Sequence, residues 1–224
     1  MTSAPEPAGA FPFVRLLSTR CTPQLARLPL TPNHLTLLSI AFGIAAAAAI
    51  LWGSRHGAVL GALLLVVSYV LDNCDGEVAR LKRMSSRFGA RLDDFGDWLV
   101  HTVLFLAMGI AASRARMDSI WLWFGVAAGV GGTINYLASM LPAATGGDAI
   151  SETATGAAET SALPATPLEW TAFIFRELMR ADFCFIVLLM ALFDSLWWLL
   201  PAAAIGAQVY WMLRMVRAAS RFHV

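Results

Sequence analysis

Six of the fifteen acidic residues of this 224-residue chain, Asp72, Asp75, Glu77, Asp93, Asp94 and Asp97, fall between Leu71 and Trp98. They adjoin long apolar runs, where carboxylates are costly unless they pair, hydrate or hold a cation. Helical spacing orders them. Asp72, Asp75, Gly76, Ala79 and Arg80 stand at i, i+3, i+4, i+7 and i+8, on one face. Gly89, Asp93 and Asp97 make a second stripe at i, i+4 and i+8, which leaves Glu77 and Asp94 off both as solvated neighbours. Facing stripes would converge at least three carboxylates, with Gly76, Ala79 and Gly89 small enough to let the backbones approach closely. Hard oxygen ligands in such a cluster suit Mg²⁺ or Mn²⁺, not zinc. The bland alternative is a set of solvated helix-end charges bridged by Arg80, Lys82 and Arg83. The uncharged apolar run directly before Asp72 speaks against it.

The elements that must position these residues are membrane helices. The chain is 58% hydrophobic with mean hydropathy +0.65. Uncharged apolar segments run from Leu35 to Gly53, Gly57 to Leu71, Trp98 to Ser113, Ser119 to Leu141, Phe183 to Phe193 and Ser195 to Leu213. A span needs about 20 residues, so the second must continue through Asp72 to about Arg80 and the third must begin near Asp93. Both conditions force the acidic motif to the membrane edge. The fifth must likewise start near Leu168 and carry Arg176, Glu177, Arg180 and Asp182 in its first turns. The expected fold is an all-α integral membrane protein, a single domain over residues 1–224 with six transmembrane helices.

Loop charge sets the orientation. Thirteen of the sixteen Lys and Arg residues fall on the side of the termini and the motif, against Arg55, Arg114 and Arg116 on the other. Termini and motif should therefore face the cytoplasm, the membrane being a bacterial inner (plasma) membrane. No compact basic n-region precedes an apolar core near the N-terminus, so a cleaved signal is not expected. Residues 11–28 mix apolar side chains with Arg15, Arg20 and Arg27, which suits a short interfacial helix. Residues 142–167, rich in Ala, Thr and Gly, read as a flexible cytoplasmic loop. Net charge is +1 with the basic residues spread along one membrane face, so no nucleic-acid partner is expected. Cys21, Cys74 and Cys184 are odd in number and offer no disulfide framework; Cys74 points off the reactive face into packing. Gly57-x-x-x-Gly61 and Gly125-x-x-x-Gly129 read as helix contacts within the bundle.

Taken whole, the segment is Asp72-x-x-Asp75-Gly76-x-x-Ala79-Arg80, eight residues, then Gly89-x-x-x-Asp93-x-x-x-Asp97. It resembles the signature of the CDP-alcohol phosphotransferase (CDP-alcohol phosphatidyltransferase) family at all eight defined positions. The Thr31-Pro32-Asn33-His34-Leu35-Thr36 entry to the first long helix resembles the family's opening. The resemblance implies transfer of a phosphatidyl or phosphoalcohol group from a CDP-linked donor to an acceptor hydroxyl, with release of CMP and two divalent cations. It implies that Asp72, Asp75, Asp93 and Asp97 hold the metals and that Asp97 is also the general base. Asn33, Gly76, Ala79, Arg80, Ser86 and Gly89 would then line the CDP-donor site. A homodimer is also expected from the family.

Two bottom-up readings sit beside this. Arg176 and Arg180, at i and i+4, suit an anionic acceptor group; positive-inside anchoring explains them equally well. His101, one turn beyond Asp97, reads as packed or backbone-bonded before it reads as catalytic. Two rival functions fare worse. A prenyltransferase would use Asp93-Asp94-Phe95-Gly96-Asp97 but needs a second aspartate-rich motif, and Asp148, Asp182 and Asp194 are isolated. A divalent-cation carrier would place acids deep in several helices, whereas these gather at one edge. The donor is expected to be CDP-diacylglycerol in phospholipid synthesis. The alternative is a soluble CDP-alcohol of the CDP-inositol type acting on a polyol phosphate or a lipid.

Overall fold

The computed structural model describes residues 13–140 and 182–220, with side chains to Met212. The described residues form helices and no strand: α1 (Phe13–Leu25), α2 (Pro32–Leu51), α3 (Arg55–Lys82), α4 (Arg87–Arg116), α5 (Ile120–Met140), α6 (Phe183–Leu192) and α7 (Leu199–Ser220). A 3₁₀ turn, Leu196–Trp198, leads into α7. Helices α2 to α5 are each long and apolar enough to cross a membrane. Residues 142–167, the expected helix start near Leu168, Arg176 and Arg180 lie outside the described residues, as do residues 11 and 12 of the arm.

Each long helix around the motif starts where its sequence says it should. Thr31 caps α2 in a reciprocal box: its hydroxyl takes the His34 N–H, and His34 Nδ1 takes the Thr31 N–H. Pro32 occupies the first turn, where it loses no hydrogen bond. Ser54 and Ser86 cap α3 and α4 by accepting the N–H groups of Gly57 and Gly89. Arg83, in the left-handed region at φ 54°, ends α3, and Met84 N–H returns to the Ala79 carbonyl at 2.8 Å. The second apolar run therefore does continue through Asp72 to Lys82. Helix α4 begins at Arg87, six residues before Asp93.

Helix α2 is the spine. Helices α3 and α4 pack along it, α5 packs on α4, α7 on α5, α6 on α3, and α1 on the last turns of α3. A central cluster including Leu65, Leu104, Val187 and Leu200, all fully buried, joins α3, α4, α6 and α7. The close approach expected between α3 and α4 at Gly76, Ala79 and Gly89 is not what the fold uses. A Cβ at Gly76 would meet only the Arg80 guanidinium at 3.6 Å, and one at Gly89 would meet Asn33 and Ser86. The tight contacts are on α2 instead: a Cβ at Gly61 would lie 2.6 Å from the Ala46 carbonyl, and one at Gly96 2.8 Å from Ile40. Both glycine pairs are contacts within the bundle. Gly57 and Gly61 meet α2; Gly125 meets the Phe105 carbonyl and Gly129 meets Thr102 on α4.

Helix α1 corrects the reading of Glu77. That carboxylate is not a solvated neighbour: it accepts Ser18 Oγ at 2.8 Å and Thr22 Oγ1 at 2.6 Å. Val14, Ser18 and Thr22 form the buried i, i+4, i+8 stripe of α1, and Leu25 packs against the Leu35, Cys74 and Val78 cluster, so two hydroxyls are set into an otherwise apolar docking face. Asp182 reaches from the start of α6 to accept the Val14 N–H at 3.1 Å. Lys82 Nζ donates to the carbonyls of Leu28 and Leu30, which ties the α1–α2 link to α3. Cys74 is fully buried with its thiol toward the Ser18 carbonyl, the packing role expected of it.

Candidate active site

Three carboxylates meet where α3 and α4 flank the first turns of α2. Asp72, Asp75 and Asp93 each offer an oxygen within 4.8 Å of the others, and this group could hold a metal ion. Asp75 is 6% exposed, and one of its oxygens takes the hydroxyl of Thr36. That hydroxyl also lies 3.2 Å from the Pro32 carbonyl, but a single proton goes to the charged acceptor, the stronger of the two. Asp93 Oδ1 is buried with no hydrogen-bond partner among the described residues. A buried charged oxygen without a partner is a rare and costly arrangement, and a hard cation satisfies it. Three carboxylates, one orphaned and one aimed by a hydroxyl, fit an oxygen-liganded divalent cation.

The structure brings two groups of the expected donor-side residues together: Asn33, Ser86 and Gly89 at the start of α4, and Gly76 with Arg80 on α3. Asn33 Oδ1 and Ser86 Oγ both stand within 3.2 Å of where a Gly89 Cβ would be, so α2 and the start of α4 are joined at this glycine. The N–H groups of that first turn of α4 form a positive helix end suited to phosphate. Arg80 extends exposed on the α3 side beside Gly76. Asp97 is one turn beyond Asp93 and stands outside the group of three, exposed and lining a cavity of about 420 Å³ between α4, α5 and α7. Asp94 is exposed, as expected, and lines the same cavity.

Sequence reasoning missed three residues that hold this geometry. Thr36 aims Asp75 from α2, and Glu77, on α3 itself, ties the motif helix to Ser18 and Thr22 of α1. Tyr69 is the third. His101 Nδ1 lies 2.7 Å from the Asp97 carbonyl, which can only accept, so Nδ1 carries the proton and Nε2 takes the Tyr69 hydroxyl at 2.8 Å. The pair bridges α3 and α4 one turn below the carboxylates. His101 is thus backbone-bonded, as its sequence context implied.

Thr36 yields a direct expectation. Thr36→Val keeps the shape and removes the donor to Asp75, so the Mn²⁺ concentration at the midpoint of a metal-dependent thermal shift should rise about tenfold, the usual scale for losing a residue that orients a metal ligand. Thr36→Ser should titrate like the parent. Equal Mn²⁺ midpoints for all three proteins would show that the hydroxyl does not orient the site.

The comparisons with known proteins agree with this geometry. The CDP-alcohol phosphatidyltransferase family profile matches residues 29–203. A stretch of 96 residues is 35% identical to the bifunctional IPC transferase and DIPP synthase of Aquifex aeolicus, covering 43% of this chain and 21% of that protein. Another of 96 residues is 36% identical to the CDP-diacylglycerol–serine O-phosphatidyltransferase of Helicobacter pylori 26695, covering 43% of this chain and 36% of that one. The Archaeoglobus fulgidus bifunctional IPC transferase and DIPP synthase is 36% identical over 111 residues, 50% of this chain and 22% of its own. The chain thus matches between 21% and 36% of the length of these relatives. The profile match covers the helices that carry the carboxylates, the Asn33–Thr36 entry and the cavity lining except Ala207, and the chain belongs to the CDP-alcohol phosphatidyltransferase family.

Proposed function

We propose that this chain is a metal-dependent transferase that moves a phosphatidyl group from CDP-diacylglycerol to an acceptor hydroxyl and releases CMP. The observation that carries the reading is the convergence of Asp72, Asp75 and Asp93, from two helices, on one point beside a phosphate-friendly helix start. Two divalent ions, Mg²⁺ or Mn²⁺, held by these three residues with Asp97, would supply charge neutralisation of the diphosphate and of the leaving CMP.

The chain's own groups account for the rest. Asn33, Gly76, Ala79, Arg80, Ser86 and Gly89 form the donor side, where Gly76 and Gly89 leave room and Arg80 offers a planar fork to a phosphate oxygen. Asp97 takes the proton of the acceptor hydroxyl as its oxygen bonds to phosphorus and the bond from phosphorus to the CMP oxygen breaks. On this reading α6 and α7 belong to the fifth and sixth spans, α1 lies in the interface, and the Lys and Arg asymmetry of the loops supports a site at the cytoplasmic face of a bacterial inner membrane. Arg176 and Arg180 would approach an anionic acceptor, and the assembly would be a homodimer. The 35% identity to the Aquifex protein favours a second reading, a soluble CDP-alcohol donor of the CDP-inositol type.

The test is CMP release by the purified protein in detergent with Mg²⁺ or Mn²⁺, offering CDP-diacylglycerol and CDP-alcohols against a panel of acceptors. Acceptor-dependent CMP is expected, and Asp97→Asn should lower it at least about 100-fold, the scale of a lost general base. Absence of CMP with every pairing would overturn the reading.

A further inference from the structure

Helices α3 and α4 carry the carboxylates, yet each packs along α2 and makes little contact with the other. Thr36 ties Asp75 to α2, and Gly96, the residue before Asp97, sets its own face against Ile40 of α2. A helix held along one side can still roll about its axis, so the placement of Asp97 relative to Asp72 needs a further restraint. The motif stripes supply it one turn on. From the short turn between Lys82 and Arg87 the two helices run antiparallel, with Asp75, Asp72 and Tyr69 in sequence along α3 and Asp93, Asp97 and His101 along α4. At 1.5 Å per residue Tyr69 lies about 4.5 Å beyond Asp72, and His101 about 6 Å beyond Asp97.

At this rung the helices are joined. The Tyr69 hydroxyl donates to His101 Nε2 at 2.8 Å, and His101 Nδ1 donates to the Asp97 carbonyl at 2.7 Å. The turn that contains Asp72 is braced in the same way: Asn73 Nδ2 donates to the Tyr69 carbonyl at 2.9 Å. The imidazole is fixed from a third side. Its ring meets the buried Phe183 of α6 with centroids 5.9 Å apart, and the Tyr69 ring meets it edge-on at 6.0 Å. With both ring nitrogens engaged, His101 has no free atom for an acceptor hydroxyl, although it lines the cavity. Asp97 is the group on this stripe left to face one.

We propose that Tyr69 and His101 are a positioning pair that locks the turn of α4 carrying Asp97 at a fixed roll and distance from the turn of α3 carrying Asp72. The pair's role in turnover rests on the transferase reading, whereas the lock rests on these hydrogen bonds. Asp97 has to meet the acceptor hydroxyl at hydrogen-bond distance while Asp72 serves the metal, and a misplacement of about 1 Å can cost on the order of 100-fold in rate. A neutral pair suits the task, because it fixes the helices without adding charge beside three gathered carboxylates.

The experiment uses the full-length protein in detergent. Tyr69→Phe keeps the ring and removes the hydroxyl; His101→Leu keeps apolar bulk and removes both nitrogens. Tyr69→Phe is expected to lower kcat for CMP release about tenfold, with the donor KM and the Mn²⁺ midpoint of the thermal shift within about twofold of the parent. His101→Leu should lower kcat at least as far, and the double variant should fall no further than His101→Leu, because the hydroxyl acts through the imidazole. A Tyr69→Phe protein with parent kcat, or losses that multiply in the double variant, would overturn the pair. A second readout needs no turnover: nitrogen NMR of protein labelled at histidine, in which the His101 signals are those lost in His101→Leu. The parent should carry the His101 proton on Nδ1, and its Nε2 resonance should move in Tyr69→Phe as it loses its donor. A proton on Nε2, or an Nε2 resonance that ignores Tyr69→Phe, would overturn the lock. A parent that releases no CMP yet shows both spectral features would sink the transferase reading and leave the lock between α3 and α4 standing.

Discussion

Asp93→Asn is expected to lower acceptor-dependent CMP release by about a thousandfold, the effect of losing roughly 4 kcal/mol of charge stabilisation at the reacting phosphate. The substitution preserves shape and removes charge from the one carboxylate of the group that has a buried oxygen without a partner. Its effect on stability should run the other way. Three carboxylates with oxygens within 4.8 Å repel one another in the metal-free protein, so neutralising one should raise the metal-free melting temperature. Mn²⁺ should stabilise the parent and do little for the variant, since a ligand stabilises only the state that binds it. Thermal melts in detergent, with chelator and with Mn²⁺, read both effects in one experiment. A variant that melts below the parent in chelator would show that these groups are neutralised by other means. Parent-like CMP release would remove Asp93 from the site.

The second large effect is expected far from the carboxylates, at Gly61. A Cβ there would lie 2.6 Å from both the Ala46 carbonyl and Ile50 Cγ1, and neither the backbone of α2 nor a buried Ile, 3% exposed, can give way easily. Gly61→Val must push α3 away from α2. Overpacking of this kind costs about 1–3 kcal/mol, and a backbone contact belongs at the upper end. The displacement also reaches the chemistry. Thr36 on α2 donates to Asp75 on α3, and Ser68 Oγ donates to the Ser39 carbonyl at 2.7 Å along the same seam. The variant should therefore melt well below the parent and need more Mn²⁺ for whatever activity survives. A Gly61→Val protein with parent melting and metal response would show that α2 and α3 are not held at the distance described here.

These two residues also divide what could be read from the chain from what could not. The meeting of Asp72, Asp75 and Asp93 was legible because a helix converts spacing directly into a shared face, and a carboxylate beside an apolar run has few bland explanations, whereas Asp97, on the same stripe, stands outside that group. The extension of α3 through the motif followed from the length a membrane demands. The long apolar helices α2 to α5 were legible for the same reason. The stop at Arg83 was not, since a left-handed Arg carries no sequence mark of its own.

The error about α3 and α4 has a physical origin. Small residues on two reactive stripes look alike whether they admit a neighbouring helix or leave a pocket for substrate, and only the position of α2 distinguishes the two. Gly76 and Gly89 face open or polar space, while Gly61, outside the motif, and Gly96, inside it but off its reactive stripe, carry the helix contacts. Glu77 was misread for a related reason: its partners Ser18 and Thr22 are 59 and 55 residues away, two hydroxyls set into the docking face of another helix.

By itself, then, the sequence determined the long apolar helices α2 to α5, the shared face of Asp72 and Asp75, and the family to which the spacing belongs, because each of these depends on local periodicity and residue type. Only the tertiary structure decided which helix stands between the two stripes, which hydroxyls aim the carboxylates, and that a cavity opens beside Asp97. Those features depend on distances between residues remote in the chain, which periodicity along one helix does not encode.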